Sequence, residues 1–237
     1  MSQQKDAYLV FGSSSGIGKA LATMLVAKGE RVIGISRRHT DLKGIESLSL
    51  DITQPDLKRQ LTCYLNSHNL TPKWVINCVG VGYYAPFDLE RYESWRKIIE
   101  TNLLGLMALL NFVATDQRVT HLVMIGSLAA KRPSKTPGNH LYGATKGAAD
   151  ELMSHFRTEI RQNSRTTKVT VIHPGFVKDT DFTASFFNDC QEHATDLLSH
   201  FDPLTPEDVA EVIINTLTSP THVDISEVIL RPLFQPD

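Results

Sequence analysis

Apolar and polar positions along the chain fall into short apolar runs separated by longer amphipathic stretches. Ala7–Phe11 is an apolar run of strand length. From Ile17, apolar residues recur at Ala20, Leu21, Met24 and Leu25, the spacing of one helix face, and Gly29 supplies a stop. Further strand runs occur at Val32–Ile35, Leu48–Leu50, Trp74–Asn77, His121–Ile125, Val169–Ile172 and Ile225–Leu230. Helical spacing predicts helices over Leu57–Leu65, Tyr92–Val113, Leu141–Ile160 and Pro206–Leu217. Strands alternating with helices imply parallel β-α-β units with right-handed crossovers. Their continuous apolar runs suit a sheet covered on both faces. The expectation is one α/β domain over 1–237, a doubly wound parallel sheet of about seven strands with helices on both faces. The stretch Phe176–Thr205 has no clear period and holds Phe176, Phe182, Phe186 and Phe187 close together. At the carboxyl side of a sheet it reads as a substrate-binding lid.

Composition removes several classes of function. The 237 residues are 41% hydrophobic and 21% charged, with a formal net charge of -2. No positive field draws nucleic acid or anionic lipid, so neither is an expected partner. The segment Met1–Asp6 has no apolar core, and no secretory leader is expected. The apolar patch Leu103–Leu110 is broken by Gly105 and too short to cross a bilayer. Cys63, Cys78 and Cys190 are widely spaced and include no C-x-x-C pair, which argues against a disulfide framework or zinc site. The nine histidines form no metal-binding motif, and no metal is expected. A reducing, cytoplasmic setting fits.

Candidate chemistry begins in "YLVFGSSSGIGKAL", Tyr8–Leu21, between the first strand and first helix. Backbone N–H groups and the helix dipole there favour a phosphate. Gly12 permits a tight turn, Gly16 a close backbone approach, and Gly18 close helix–sheet packing, while Ser13, Ser14 and Ser15 add hydroxyls. The glycines nonetheless miss the G-x-G-x-x-G spacing. At the end of the second strand, Ser36, Arg37 and Arg38 stand where an NAD-binding fold carries Asp or Glu. Arginines suit a 2′-phosphate, which points to NADP. Ser127 ends the fifth strand. Tyr142 and Lys146, four apart, share a helix face. A tyrosine of pKa near 10 is too weak an acid for neutral pH, and a nearby ammonium should lower that value. With a serine hydroxyl holding a carbonyl oxygen, the tyrosine would donate a proton to it.

These motifs, in this order, resemble the short-chain dehydrogenase/reductase family over nearly the whole chain. Gly12–Gly18, with Ile17, is similar to T-G-x-x-x-G-I-G. Asp51 and Ile52 in "LDI" resemble the segment that meets the adenine. Asn77, Cys78, Val79 and Gly80 resemble N-N-A-G. Pro174, Gly175 and Val177 resemble the P-G turn beside the nicotinamide. The resemblance implies a tetrad of Asn102, Ser127, Tyr142 and Lys146. Tyr142 would be the proton donor, Lys146 would bind the nicotinamide ribose, Ser127 would position the substrate, and Asn102 would hold a relay water. It implies a small carbonyl or alcohol substrate, and a homodimer or homotetramer built on the two long helices. Three positions depart from the pattern: Phe11 replaces Thr, Cys78-Val79 replaces Asn-Ala, and Asp179 stands where relatives have a Thr that meets the carboxamide. The ending "ISEVILRPLFQ" resembles tails of NADP-dependent reductases that act on small 3-hydroxy acids and on pterins. Tyr83, Tyr84 and Leu128 are expected near the substrate. A non-catalytic NADP-binding regulator is the alternative reading.

Overall fold

The computed structural model describes residues 5–83, 87, 91–132, 138–163, 165–186 and 201–235. Seven strands form one sheet: β1 (Lys5–Phe11), β2 (Val32–Ser36), β3 (Ile45–Ser49), β4 (Leu70–Asn77), β5 (His121–Ile125), β6 (Lys168–Pro174) and β7 (Glu227–Leu230). Their order is β3-β2-β1-β4-β5-β6-β7, and all six pairings are parallel. The chain runs outward from β1 to β3, returns to β4, and continues the other way. That reversal opens a crevice at the carboxyl ends of β1 and β4, the usual ligand position in such sheets.

Strand alternation sorts the core into two layers. Ala7, Leu9 and Phe11 face one cluster with Leu57, Leu61 and Leu65 of α2 (Leu57–Ser67), and with residues of later helices. Tyr8 and Val10 face the other, with Leu21 and Leu25 of α1 (Gly16–Ala27) and a C-terminal helix. Each buried Leu or Phe contributes about 1.5–3 kcal/mol, so the two layers dominate stability. Phe11 is among the largest fully buried side chains. Its ring therefore fills core volume where relatives of the resembled family carry a threonine.

Element boundaries depart from the periodic reading where local chemistry is unusual. The expected helix Tyr92–Val113 is instead α3 (Tyr92–Ile99), a π-helical segment (Glu100–Leu104) and α4 (Gly105–Thr115). The extra residue per turn is local, and periodicity over a whole window averages it away. β4 starts at Leu70, ahead of the expected Trp74, and absorbs Pro72 at an irregularity: Pro72 pairs Ala7 while Trp74 pairs Tyr8. Such a bulge is one of the few places a sheet tolerates proline. β3 lies at Ile45–Ser49 on the sheet edge, and because it is only half-buried the apolar-run reading, Leu48–Leu50, meets just its end. α5 (His140–Gln162) and α7 (Pro206–Leu217) lie as expected, the latter with a Thr205/Asp208 capping box. A short helix, α6 (Asp181–Phe186), occupies the start of the irregular segment. Tyr84, Phe187 and Cys190 lie outside the described residues.

The continuous run Tyr92–Thr115 has the length and hydropathy of a membrane span, contrary to the shorter patch read from the sequence. Leu106, Leu109, Phe112 and Val113 are buried in the first core layer, which marks it as a core helix.

Candidate active site

The crevice is one cavity of about 750 Å³. Its walls include Gly12, Ser14, Ser15, Gly16, Ile17, Gly18, Ser36, Arg37, Arg38, Ile52, Cys78, Val79 and Gly80. Ser127, Tyr142, Lys146, Pro174, Gly175 and Val177 complete this expected set. Asp51, Asn77 and Asn102 do not line it.

The β1–α1 end is shaped by main chain. Gly12 has φ +81, and a Cβ there would meet the Cys78 carbonyl carbon at 3.0 Å. Gly18 is tighter, because its Cβ would lie 2.3 Å from the Gly12 oxygen. Gly16, at φ +50, faces Thr180, whose Cγ2 would be 3.3 Å from a Cβ. Ser15 caps α1 in extended conformation, its side chain makes no capping bond, and no acidic residue occupies the first turn. Ser13 differs from its neighbours. It is 0% exposed, lies under Gly34, and its Oγ has no partner. It belongs to the sheet packing and not to the cavity wall, contrary to its expected role as a donor there.

The Ser36 hydroxyl donates to the Arg38 carbonyl, and Ser49 Oγ donates to the Arg37 carbonyl at 2.9 Å. These bonds fix the turn that presents both guanidinium groups. Arg38 also meets Asp181 of α6 at 3.4 Å in an exposed pair. Asp51 Oδ1 accepts from the Thr53 N–H and hydroxyl, so half of its carboxylate caps its own turn. Asn77 Oδ1 accepts from the Val79 N–H at 3.0 Å and shapes the loop after β4. Cys78 keeps its main chain in the ladder, donating to the Phe11 carbonyl at 2.9 Å. Burial pushes its thiol up to about 12.

The tetrad residues come together around the ends of β5 and α5. Asn102 lies in the π segment. Its Oδ1 accepts from the Val81 N–H at 2.9 Å, and its Nδ2 donates to Val81 O at 2.9 Å and to Thr145 Oγ1 at 3.1 Å. The side chain is thus fully used in holding the Gly80–Val81 loop against α5. Ser127 caps a short 3₁₀ turn (Leu128–Ala130), its Oγ accepting from the Ala129 N–H. Its side chain is also hydrogen-bonded to Tyr142. Lys146 Nζ donates to the Ile125 carbonyl at 2.8 Å and stands 5.9 Å from the Tyr142 ring centre.

Burial governs both acid–base groups. It raises Tyr142 to about 12, opposed only by the Ser127 bond, and it lowers Lys146 to about 8, opposed by Asp150 and Cys78. The expectation that the ammonium lowers the tyrosine value is therefore corrected: loss of water penalises phenolate and ammonium alike. With a pKa raised to about 12, Tyr142 is a neutral hydroxyl at neutral pH.

Helix α6 covers this end. Phe182 and Phe186 lie 5.2 and 5.7 Å from Tyr142, centre to centre. Phe176, also on the wall, pairs with Phe201. Asp179 takes a left-handed φ of 56 and turns away from the wall, which Thr180 lines instead. Tyr83 and Leu128 line the cavity as expected. Lys97, Arg132, Asn139 and Gln235 line it without having been foreseen. Asn139 sits immediately before α5, a capping position that could have been noticed. Gln235 Oε1 accepts from the Phe176 N–H at 3.0 Å across a gap in sequence that no local pattern spans.

A glycine-shaped helix terminus facing a Ser–Tyr–Lys cluster defines a dinucleotide-dependent oxidoreductase site. The chain belongs to the short chain dehydrogenase family, whose sequence pattern matches residues 6–191. It is 29% identical to the NADP-dependent 3-hydroxy acid dehydrogenase YdfG of Salmonella typhi, over 96% of this chain and 95% of that one. It is 27% identical to dehydrogenase/reductase SDR family member 11 of Bos taurus, over 96% of each chain. Among solved structures, the closed form of serine dehydrogenase complexed with NADP⁺ superposes with a TM-score of 0.87 and 26% identity, covering 98% of this chain and 96% of that one.

Proposed function

We propose that this chain is an NADP(H)-dependent oxidoreductase that reduces the carbonyl of a small acid, or oxidises the matching 3-hydroxy acid, with Tyr142 as the acid/base. The observation that carries the reading is the Ser127–Tyr142–Lys146 cluster, its tyrosine and lysine buried, in one cavity with the Gly16 turn. The residues fit the cofactor. A side chain at Gly16 would fill the cradle, the Ser15 hydroxyl makes no capping bond, and the first turn of α1 carries no anion. Arg37 and Arg38 would hold the 2′-phosphate. When bound, NADPH supplies the hydride. Ser127 orients the carbonyl oxygen, and Tyr142 gives it a proton. Lys146, with a value of about 8, remains mostly charged at neutral pH and would bind the nicotinamide ribose.

The charge of the cavity supports an acid substrate. Among the described residues, its charged wall residues are Arg37, Arg38, Lys97, Arg132 and Lys146 against Asp181. Lys97 stands 5.7 Å over the Tyr83 ring, and the adjoining Gly82 touches the Tyr142 ring. A cation on this wall would meet a substrate carboxylate, and the similar YdfG enzyme is named for 3-hydroxy acids. The Phe176–Thr205 segment would act as the lid. Free Cys63 and Cys78 agree with a reducing, cytoplasmic compartment. Exposed Ile99, Leu104 and Met107 would seat a second copy of the chain against this helix, as a homodimer or homotetramer. The intact cluster disfavours a purely regulatory NADP-binding role.

Tyr142→Phe is the direct test. It should lower kcat by at least about 10³-fold, an acid–base effect at the upper end, and leave the NADPH Kd within about 3-fold. NADPH consumption over a panel of 3-oxo acids, plain ketones and aldehydes reads both this and the substrate class. Undiminished turnover in the variant overturns the mechanism.

A further inference from the structure

The end of β6 carries a group that the proposed chemistry does not use. His173 is 0% exposed. Its Nδ1 lies 3.2 Å from the carbonyl oxygen of Ser127. Its Nε2 lies 3.6 Å from Asp150 Oδ2 of α5 and 3.9 Å from Glu227 Oε2 of β7, and makes no hydrogen bond. Lys131, just past the 3₁₀ turn, bridges the same two carboxylates at 2.9 and 2.8 Å. Arg157 of α5 anchors β7 beside them by donating to Ser226 O at 3.1 Å. The backbone is cut to admit the ring: a Cβ on Gly126 would lie 2.6 Å from His173 Nδ1.

These distances choose a tautomer. A proton on Nδ1 makes a hydrogen bond to Ser127 O, while a proton on Nε2 leaves an Nδ1 lone pair facing that oxygen. At 3.6 and 3.9 Å neither carboxylate is within hydrogen-bond range of Nε2, and the Lys131 ammonium already neutralises part of their charge. Burial, the largest influence, and Lys131 lower the basicity of the ring, while Asp150, the Ser127 carbonyl and Glu227 raise it. The imidazole is therefore neutral, with its proton on Nδ1.

We infer that His173 is a positioning residue for Ser127: packed at the end of β6 beside the Lys131–Asp150–Glu227 cluster, its Nδ1–H fixes the main chain that aims the serine hydroxyl at Tyr142. The inference rests on the proposed role of Ser127. Asp150 also acts on Lys146, four residues earlier on α5, so one carboxylate borders both the serine support and the lysine.

The test compares His173→Leu, which removes the donor, with His173→Asn, whose amide places a donor near Nδ1 and cannot form an imidazole. His173→Leu should lower kcat about 10- to 100-fold, the scale of a small misplacement of a reacting group, with the NADPH Kd within about 3-fold. His173→Asn should recover to within about 3-fold of wild type. Nitrogen-15 NMR of the wild-type imidazoles, with His173 assigned by its absence in His173→Asn, should show an Nδ1-protonated neutral ring. Wild-type kcat in His173→Leu, no recovery in His173→Asn, or an Nε2-protonated ring each overturns the inference. If the wild type turns over no carbonyl compound, the oxidoreductase reading of Ser127 fails instead, and the tautomer still tests the Nδ1–H contact.

Discussion

At the β1–α1 end of the cavity the wall is main chain, whereas at the Tyr142 end it is side chain. Gly12, Gly16 and Gly18 let other parts of the chain approach by lacking atoms, all within one turn of the chain. Ser127, Tyr142, Lys146, Phe182 and Phe186 make the other end by contact, from β5, α5 and α6. The first end tolerates almost no added atom, because backbone cannot swing aside. The second is set by burial, which raises Tyr142 and lowers Lys146, so it responds in degree to whatever admits water.

The sharpest way to break this contrast is Gly18→Ala against Gly29→Ala. The Gly18 Cβ would lie 2.3 Å from the Gly12 carbonyl oxygen, while nothing stands within 4 Å of a Cβ at Gly29. Gly18→Ala must push β1 and α1 apart, at a cost of about 3 kcal/mol or more, and abolish NADPH binding. Gly29→Ala bears only its positive φ, about 1–2 kcal/mol, and keeps NADPH binding. Urea unfolding and fluorescence titration of NADPH separate the two. Equal losses would mean that the turn is not main-chain limited.

The same contrast explains what could be read from the sequence. The β1–α1 turn was legible because its cause is local: glycine identity, strand run and helix period adjoin. The Tyr142–Lys146 pair was legible for the same reason, as two residues on one face of a helix. What escaped is long-range. Gln235 reaches the Phe176 backbone from the chain's end, His173 reaches the Ser127 carbonyl, and no period links them. Ser13 was misjudged because three consecutive serines look alike until Gly34 is placed above one of them. The upward shift of Tyr142 was illegible too, since spacing shows a neighbouring charge but not the loss of water around it.

Arg37→Asp sharpens the comparison at the cofactor end. Its guanidinium is presented by a turn fixed through backbone bonds, so the exchange should alter charge and not geometry. A hydrogen bond to a charged group contributes about 1.5–3 kcal/mol, so NADPH-over-NADH preference in kcat/KM should fall about 10- to 100-fold. Unchanged preference would assign the 2′-phosphate elsewhere.

Phe186→Ala probes the other end by degree. The ring is 8% exposed and packs edge-on against Tyr142. Removing it admits water, and because burial is what raises Tyr142, its pKa should fall from about 12 back towards 10. Phenolate absorbance titration, referenced to Tyr142→Phe, measures this shift. A drop of about 10-fold in kcat/KM should accompany it, as α6 loosens its hold on Tyr142. An unmoved tyrosine titration would show that the Phe186 ring does not keep water from the hydroxyl.

The smallest expected effect lies where the two ends meet. Asp179 follows the P-G turn and holds φ 56, a conformation that costs a non-glycine residue roughly 1 kcal/mol. Thr180 beside it lines the cavity and faces Gly16, and its Oγ1 accepts from the Thr183 N–H at 3.1 Å. Asp179→Gly relieves the strain but gives the unfolded chain about 0.4–1 kcal/mol of extra freedom. The two effects nearly cancel, so stability should change by less than about 1 kcal/mol. Its carboxylate is off the wall, so the NADPH Kd should stay within about 2-fold, less than the loss of one hydrogen bond. Thr180→Ala should weaken NADPH binding more, because it removes the methyl against Gly16 and the hydroxyl that orders α6. If Asp179→Gly proves the more damaging of the two, the cofactor contact belongs to position 179, and the main-chain end of the cavity extends one residue further than drawn.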